Sequence, residues 1–342
     1  MEITSYPVAK ISASSIVVYN KKIEPRTRSE AQLSNEVNLR DNEFNGFMSP
    51  KTRCKVRKML DTWITAIELR RKKLNQGNYY RNSKITFVTL TLSSPQSHDD
   101  NYIKRNLLNR FIIEARQEWG INHYFWRAEP QGNGNIHFHI LIDRYVHWKT
   151  VRQKWNNIQN DHGYLSEFEK KFLHNDANST DIRGLEKVRN VSAYIIKYCT
   201  KVQGGRKIDG RIWGCSDSLR KLTCLEIELD SEVRKYIDAV EQDSKSKIVV
   251  KDEFTLIFCN NEKLLREISP HLNNIFLKHY DEMFRNLYTK EGREKIQREI
   301  DQERILATYS PEIPSPHFNN CRPAVVNVQL EIFSGREVFL FN

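Results

Sequence analysis

The stretch GNGNIHFHILID, residues 132–143, sets two histidines one residue apart inside an apolar run. A strand points successive side chains to opposite faces. His137 and His139 therefore share one face, while Ile136, Phe138 and Ile140 occupy the other. The preceding run, NHYFWRAEPQ, also has strand character, and two such runs around a Gly/Asn turn are the signature of a hairpin. Folding at that turn brings Glu129 opposite the histidines, with Arg127 and Gln131 on the same face as Glu129. Two imidazoles and a carboxylate converging from adjacent strands form a metal site with open positions. Such ligation suits Mg2+ or Mn2+ bound jointly with a phosphate oxygen, and also accommodates Zn2+ or Ni2+. Gln131 is the alternative third ligand. A solvent-facing strand would show the same alternation, so it is the matched glutamate that gives the His-x-His pair its meaning.

A second constellation lies in SAYIIKYCTK. On a helix, Tyr194, Lys197, Tyr198 and Lys201 fall on one face, at i, i+3, i+4 and i+7. Val188, Val191, Ile195 and Cys199 fall on a neighbouring face suited to packing on a sheet. A phenol with a pKa near 10 is a poor nucleophile at neutral pH unless a cation or metal stabilises its anion. Tyrosines at this spacing also commonly rim a core. Together, however, the two constellations describe one chemistry. A metal polarises a phosphodiester, a tyrosine attacks it, and Lys197 balances charge in the transition state.

The elements that must position these residues can be read in outline. Ser49-Pro50 is an N-cap followed by a first-turn proline. Behind it Val56, Leu60, Trp63, Ile67 and Leu74 keep helical spacing. This helix carries nine Lys/Arg against two Asp/Glu, so its outer face, with Lys51, Arg53, Lys55, Arg57 and Lys58, suits phosphates. KITFVTLTLSSP reads as a strand. Asp99 and Asp100 cap a helix in which Ile103, Leu107, Phe111, Ala115 and Trp119 recur every fourth residue. A helix over Trp148–Gln159, a short strand at Thr180–Arg183, the tyrosine helix and LEIEL follow. Residues 1–48 are polar and weakly patterned, and charged helices dominate from residue 231.

Charge divides the chain in the same way. Of 342 residues, 54 are Lys/Arg and 43 Asp/Glu, a net of +11. Residues 223–342 hold 16 Lys/Arg against 21 Asp/Glu, leaving the first two-thirds strongly basic. That partition points to a polyanion-binding part with an appendage of another kind. Six scattered cysteines without a CxxC pair read as reduced thiols, no apolar run is long enough to span a membrane, and no secretory leader is evident. The expected location is the cytoplasm.

The order ITFVTLTLS, then Glu129 with NGNIHFHIL, then YIIKYCTK resembles the three motifs of HUH endonucleases, specifically two-tyrosine rolling-circle replication initiators of bacterial phages and plasmids. Residues 49–225 carry the resemblance. It implies an α+β fold, a central antiparallel ferredoxin-like sheet flanked by helices, with an endonuclease domain over 49–230. An N-terminal extension (1–48) and a mainly helical accessory region (231–342) would flank it. It further implies His137, His139 and Glu129 as metal ligands, Tyr194 and Tyr198 as nucleophiles, and Lys197 and Lys201 beside them. The expected substrate is single-stranded DNA at an origin or hairpin, cut to give a 5′-phosphotyrosine and a 3′-OH primer. No GxxxxGK[ST] sequence occurs, so a host helicase and polymerase are the expected partners, in a bacterial cell. Two-tyrosine transposases share this chemistry. Relaxases usually place their tyrosine before the histidines, the reverse of the order here. A non-catalytic single-strand-binding module is the reading from another class, and it would carry aromatics on an open sheet face.

Overall fold

The computed structural model describes residues 5–23, 48–74, 85–184 and 206–308. They form an α+β architecture of two antiparallel five-stranded sheets with helices around them. The first sheet contains β3 (Thr86–Leu90), β4 (Tyr124–Pro130), β5 (Ile136–Ile142), β6 (Thr180–Gly184) and β7 (Trp213–Cys215), in the order β6-β3-β5-β4-β7. The β-branched and aromatic runs TFVTL and IHFHILI build its centre. Val88, Leu90, Trp126, Ala128, Phe138 and Ile140 make one face wholly apolar and buried. The helices α2 (Asn109–Trp119) and α3 (Trp148–Asp161) belong to this half. Phe111 and Trp155 meet edge to face, and the Trp155 indole donates to the Thr91 carbonyl at the end of β3.

The approach to α2 differs from the every-fourth pattern of the sequence. Asp99 caps the helical start at Asp100, but Ile103–Leu108 winds as a π-helix before α2 begins. This stretch buries Lys104 along with Ile103 and Leu107. The Lys104 ammonium is held by the carbonyls of Asp209 and Arg211, a tertiary contact that side-chain periodicity cannot register.

The second sheet runs β8-β1-β2-β10-β9, with β1 (Ser5–Ile11), β2 (Ser15–Lys22), β8 (Leu225–Glu228), β9 (Lys247–Val250) and β10 (Phe254–Phe258). Residues 5–22, read in the sequence as polar and weakly patterned, are thus two central strands. This sheet draws strands from all three stretches separated at residues 48 and 230. Ala9, Ile11, Ile16, Leu225 and Ile257 pack against α5 (Ser231–Gln242), α6 (Asn261–Ile268) and α7 (Pro270–Tyr288). Asn261, fully buried, ties this core together. Its amide donates to the carbonyls of Ser12 and Ser15, and its oxygen accepts from Tyr236. Every polar atom of that side chain is thereby satisfied, as burial demands. A further helix, α8 (Lys290–Thr308), follows, so the region after residue 231 is mainly helical with one hairpin.

Helix α1 (Pro50–Leu74) touches both halves. Ser49 accepts from the Thr52 N–H through its hydroxyl and from the Arg53 N–H through its carbonyl, the cap expected from the sequence. Met59 meets Cys215 of β7, while Trp63 donates to the Tyr288 hydroxyl and Ala66 joins the second core. Cys54, Cys215, Cys224 and Cys259 are free thiols, and among the described residues no helix is long and apolar enough to cross a membrane.

Candidate metal centre

The hairpin β4–β5 closes through Gln131–Asn135, where the Gln131 N–H donates to Asn135 and the Gly134 N–H to Gln131. Gly134 has φ +87 with nothing near its missing side chain, so backbone conformation alone selects glycine there. The turn fixes the register, with Glu129 opposite His137 and Arg127 opposite His139. Thr89 of β3 flanks His139 from the other side. The alternation read from the sequence is therefore realised, and the three side chains stand on one face.

Their ligand atoms lie within 4.8 Å of one another. Glu129 Oε2 is 3.4 Å from His139 Nε2 and 3.8 Å from His137 Nε2. Its other oxygen, Oε1, accepts from Arg127 Nε at 3.2 Å. Burial pushes the Glu129 carboxyl up, but the adjoining imidazoles of His137 and His139 and the Arg127 guanidinium outweigh it. The carboxyl is held well below the ordinary carboxylate range, so one oxygen is anchored by Arg127 and the other is ionised toward the histidines. His139 Nδ1 lies 3.2 Å from the Thr89 hydroxyl, and its ring stacks on Phe87. With the proton on Nδ1, shared with Thr89, Nε2 keeps its lone pair for a metal. Both ring nitrogens of His137 are buried without a hydrogen-bond partner. Buried polar atoms left in this state call for an explanation, and metal ligation by Nε2 supplies one. The donor set thus fits a divalent ion. Gln131 stands one residue past β4, in the turn itself.

The sequence put Arg127 on the ligand face but gave it no role. It is 1% exposed, and its Nη1 lies 3.9 Å from Met48 Sδ, immediately before α1. The start of α1 is thereby set against the neighbour of Glu129. Lys51, Lys55, Arg57 and Lys58 are exposed along α1, Arg53 is half-buried, and no acidic residue occupies the first turn.

Sequence reasoning missed the clamp around the turn entirely. The buried Asp100 carboxylate accepts both Arg206 Nη atoms, at 2.6 and 2.7 Å, the Gln96 amide at 2.9 Å and the Asp209 N–H at 3.0 Å. Arg206 Nε donates to the Gly134 carbonyl, and Gln96 Oε1 accepts the Ile136 N–H next to His137. No local signal could have paired residues this far apart.

Tyr194, Lys197, Tyr198 and Lys201 lie outside the described residues. The described residues on either side are both tied to the first sheet. Gly184 pairs with Thr86 at one end of β3, and Arg206 grips the β4–β5 turn at the opposite end.

Residues 85–203 match the family model of the replication-associated protein ORF2. The matched stretch starts just before β3, includes all three candidate ligands and runs on over both tyrosines. This part of the chain is therefore similar to replication-associated proteins. No curated protein gives a significant match.

Proposed function

We propose that the protein is a replication initiator that nicks single-stranded origin DNA and retains the cut end as a phosphotyrosine. The observation that carries this reading is the Glu129–His137–His139 cluster, set inside a stretch similar to replication-associated proteins. Those residues would hold Mg2+ or Mn2+, which when bound supplies Lewis-acid polarisation of a phosphodiester. Arg127 keeps Glu129 turned toward the imidazoles, and Thr89 fixes the His139 ring. The hydroxyl of Tyr194 or Tyr198 attacks phosphorus and loses its proton. A phosphorus–oxygen bond to tyrosine forms as the bond to the 3′ oxygen breaks, and that oxygen takes up a proton to become a free 3′-OH. The ester on tyrosine preserves the bond for later rejoining. Lys197 offsets charge building on the phosphoryl oxygens. Lys51, Arg53, Lys55, Arg57, Lys58 and Lys201 hold the strand through its phosphates. The second tyrosine allows a second cut while the first 5′ end is still held. A host helicase would open the origin, a polymerase would extend the 3′-OH, and the work would proceed in the cytoplasm. Similarity to replication-associated proteins favours this reading over a transposase sharing the same chemistry.

The test is a labelled single-stranded oligonucleotide incubated with the full chain with and without Mn2+, then run on a denaturing gel. Each of Tyr194→Phe and Tyr198→Phe should still form covalent adduct, and the double variant none. Adduct formed in EDTA, or by the double variant, would overturn the mechanism.

A further inference from the structure

The segment that leaves β5 and opens α3 takes no part in the site above. Tyr145 is 48% and Trp148 41% exposed, two large aromatics facing solvent three residues apart. Cations gather on the indole. The Arg152 guanidinium stands 4.7 Å from its centroid, Lys149 Nζ 5.5 Å, and the His147 ring 5.6 Å. Arg152 is held in place by Asn178, whose side-chain oxygen accepts from Nη2 at 2.6 Å. No Asp or Glu occurs from Arg144 through Asn160. Exposed rings bordered by fixed cations, with no carboxylate in the run, match the chemistry of an unpaired strand. Bases stack on ring faces while phosphates meet ammonium and guanidinium groups. The place in the fold gives this a use. Ile142, where β5 ends, is about 10 Å along the strand from His139, so the patch would meet nucleotides other than those at the scissile bond.

We infer that Tyr145, Trp148, Lys149 and Arg152 form a second contact for single-stranded DNA, a stacking and phosphate-holding patch remote from the metal centre. The inference rests on the reading that single-stranded DNA is the substrate. A strand gripped both here and at the metal centre is aligned over the length of β5 and loses freedom before the reaction begins.

The experiment is fluorescence anisotropy of a labelled oligo(dT) with the full chain in EDTA, so that no cleavage intervenes, over a series of salt concentrations. Trp148→Ala should weaken binding about five-fold or more, the usual effect of removing one stacked base, without changing the salt slope. Trp148→Phe should restore most of it. Lys149→Ala should lower the log–log salt slope by about 0.7, one phosphate contact on a single strand. Irradiated 5-iodouracil oligonucleotide should crosslink to Tyr145 or Trp148 in peptide mapping, a readout that holds even if a variant folds poorly. A parent chain that fails to bind oligo(dT) refutes the substrate reading itself. Parent-like binding by Trp148→Ala and Lys149→Ala, with no crosslink at either aromatic, refutes the patch alone. So does phosphatidylserine-vesicle binding that depends on Trp148 while oligo(dT) binding does not.

Discussion

Removing the Asp100 carboxylate should release the clamp that ties the chain after residue 205 to the β4–β5 turn. The side chain is 2% exposed and accepts four hydrogen bonds, two from Arg206 and one each from Gln96 and the Asp209 N–H. Asp100→Ala leaves all four donors without their acceptor. Arg206, whose side chain is 35% exposed, can turn to water, so its share of the loss is discounted. Breaking a buried ion pair by removing one partner costs about 3–5 kcal/mol, and the partial exposure of Arg206 places this one near the lower end, at about 3 kcal/mol. A protein of this size loses roughly 2–4 °C of Tm per kcal/mol, so thermal unfolding should shift downward by at least about 6 °C. Burial pushes the Asp100 carboxyl up, but hydrogen bonds from Arg206, Gln96 and Asp209 outweigh it and leave it below its ordinary value. The stabilisation is therefore present above the unfolded carboxyl pKa of about 3.9 and is lost as pH falls through the lower folded value. The gap between parent and variant should close in acid. A double-mutant cycle with Arg206→Ala decides the matter. If Asp100→Ala costs the same about 3 kcal/mol when Arg206 is already gone, the clamp is not a coupled unit and the reasoning fails.

Three further outcomes follow from the same geometry. Glu129→Ala should eliminate Mn2+ binding in isothermal titration while Gln131→Ala stays close to the parent; the reverse order would transfer the ligand role to Gln131. Thr89→Val keeps the shape of the side chain but removes the hydroxyl beside His139 Nδ1. It should weaken Mn2+ affinity about 10-fold, the lower end for loss of such a supporting contact, with cleavage recovering at saturating metal, and unchanged affinity would count against the assigned tautomer. Burial pushes the His123 imidazole down to about 4, so the unfolded chain binds a proton between about pH 6.5 and 4 that the folded chain refuses. The stability advantage of the parent over His123→Gln should therefore be present above about pH 6.5 and shrink by about 3 kcal/mol as pH falls to 4; a pH-independent difference in urea unfolding would contradict it.

What the sequence disclosed was whatever depends on short range. The β4–β5 register follows from a turn of a few residues and a period of two, so Glu129, His137 and His139 could be placed together from letters alone. The cap at Ser49 and the buried stripe of Val56, Leu60, Trp63 and Ile67 were legible for the same reason, since each depends on neighbours within a few turns of one helix. Arg127 shows the limit. Alternation put it on the right face, but its burial depends on Met48, in a segment whose approach no local pattern encodes. The strands β1 and β2 were lost because their partners are β8 and β10, more than 200 residues away along the chain. Only one face of that sheet is covered by the helices of the second core, so Ala9, Ile11 and Ile16 are interleaved with Lys10, Val17 and Tyr19 and the alternation is faint.

The second sheet bears on the candidate site through α1. The N-terminal end of this helix stands beside Arg127 and carries the exposed lysines expected to meet DNA, whereas Ala66 is embedded among α5–α7 and Arg70 pairs with Asp281 of α7 at 3.3 Å. Ser14, in the β1–β2 turn, donates to Asp61 midway along the helix. A chain cut near residue 230 would lose β9, β10 and α5–α7, exposing Ala9, Ile11, Ile16 and the inner side of α1 to water. Burial of that apolar surface is what fixes the helix, so its basic face would lose its fixed relation to Glu129 even though every lysine was still present. Lost DNA binding in such a fragment would report on the support of α1 as much as on its charges. For that reason single substitutions at Lys51, Lys55 and Lys58 in the full chain, with the salt slope as readout, are the measurement that isolates the phosphate contacts.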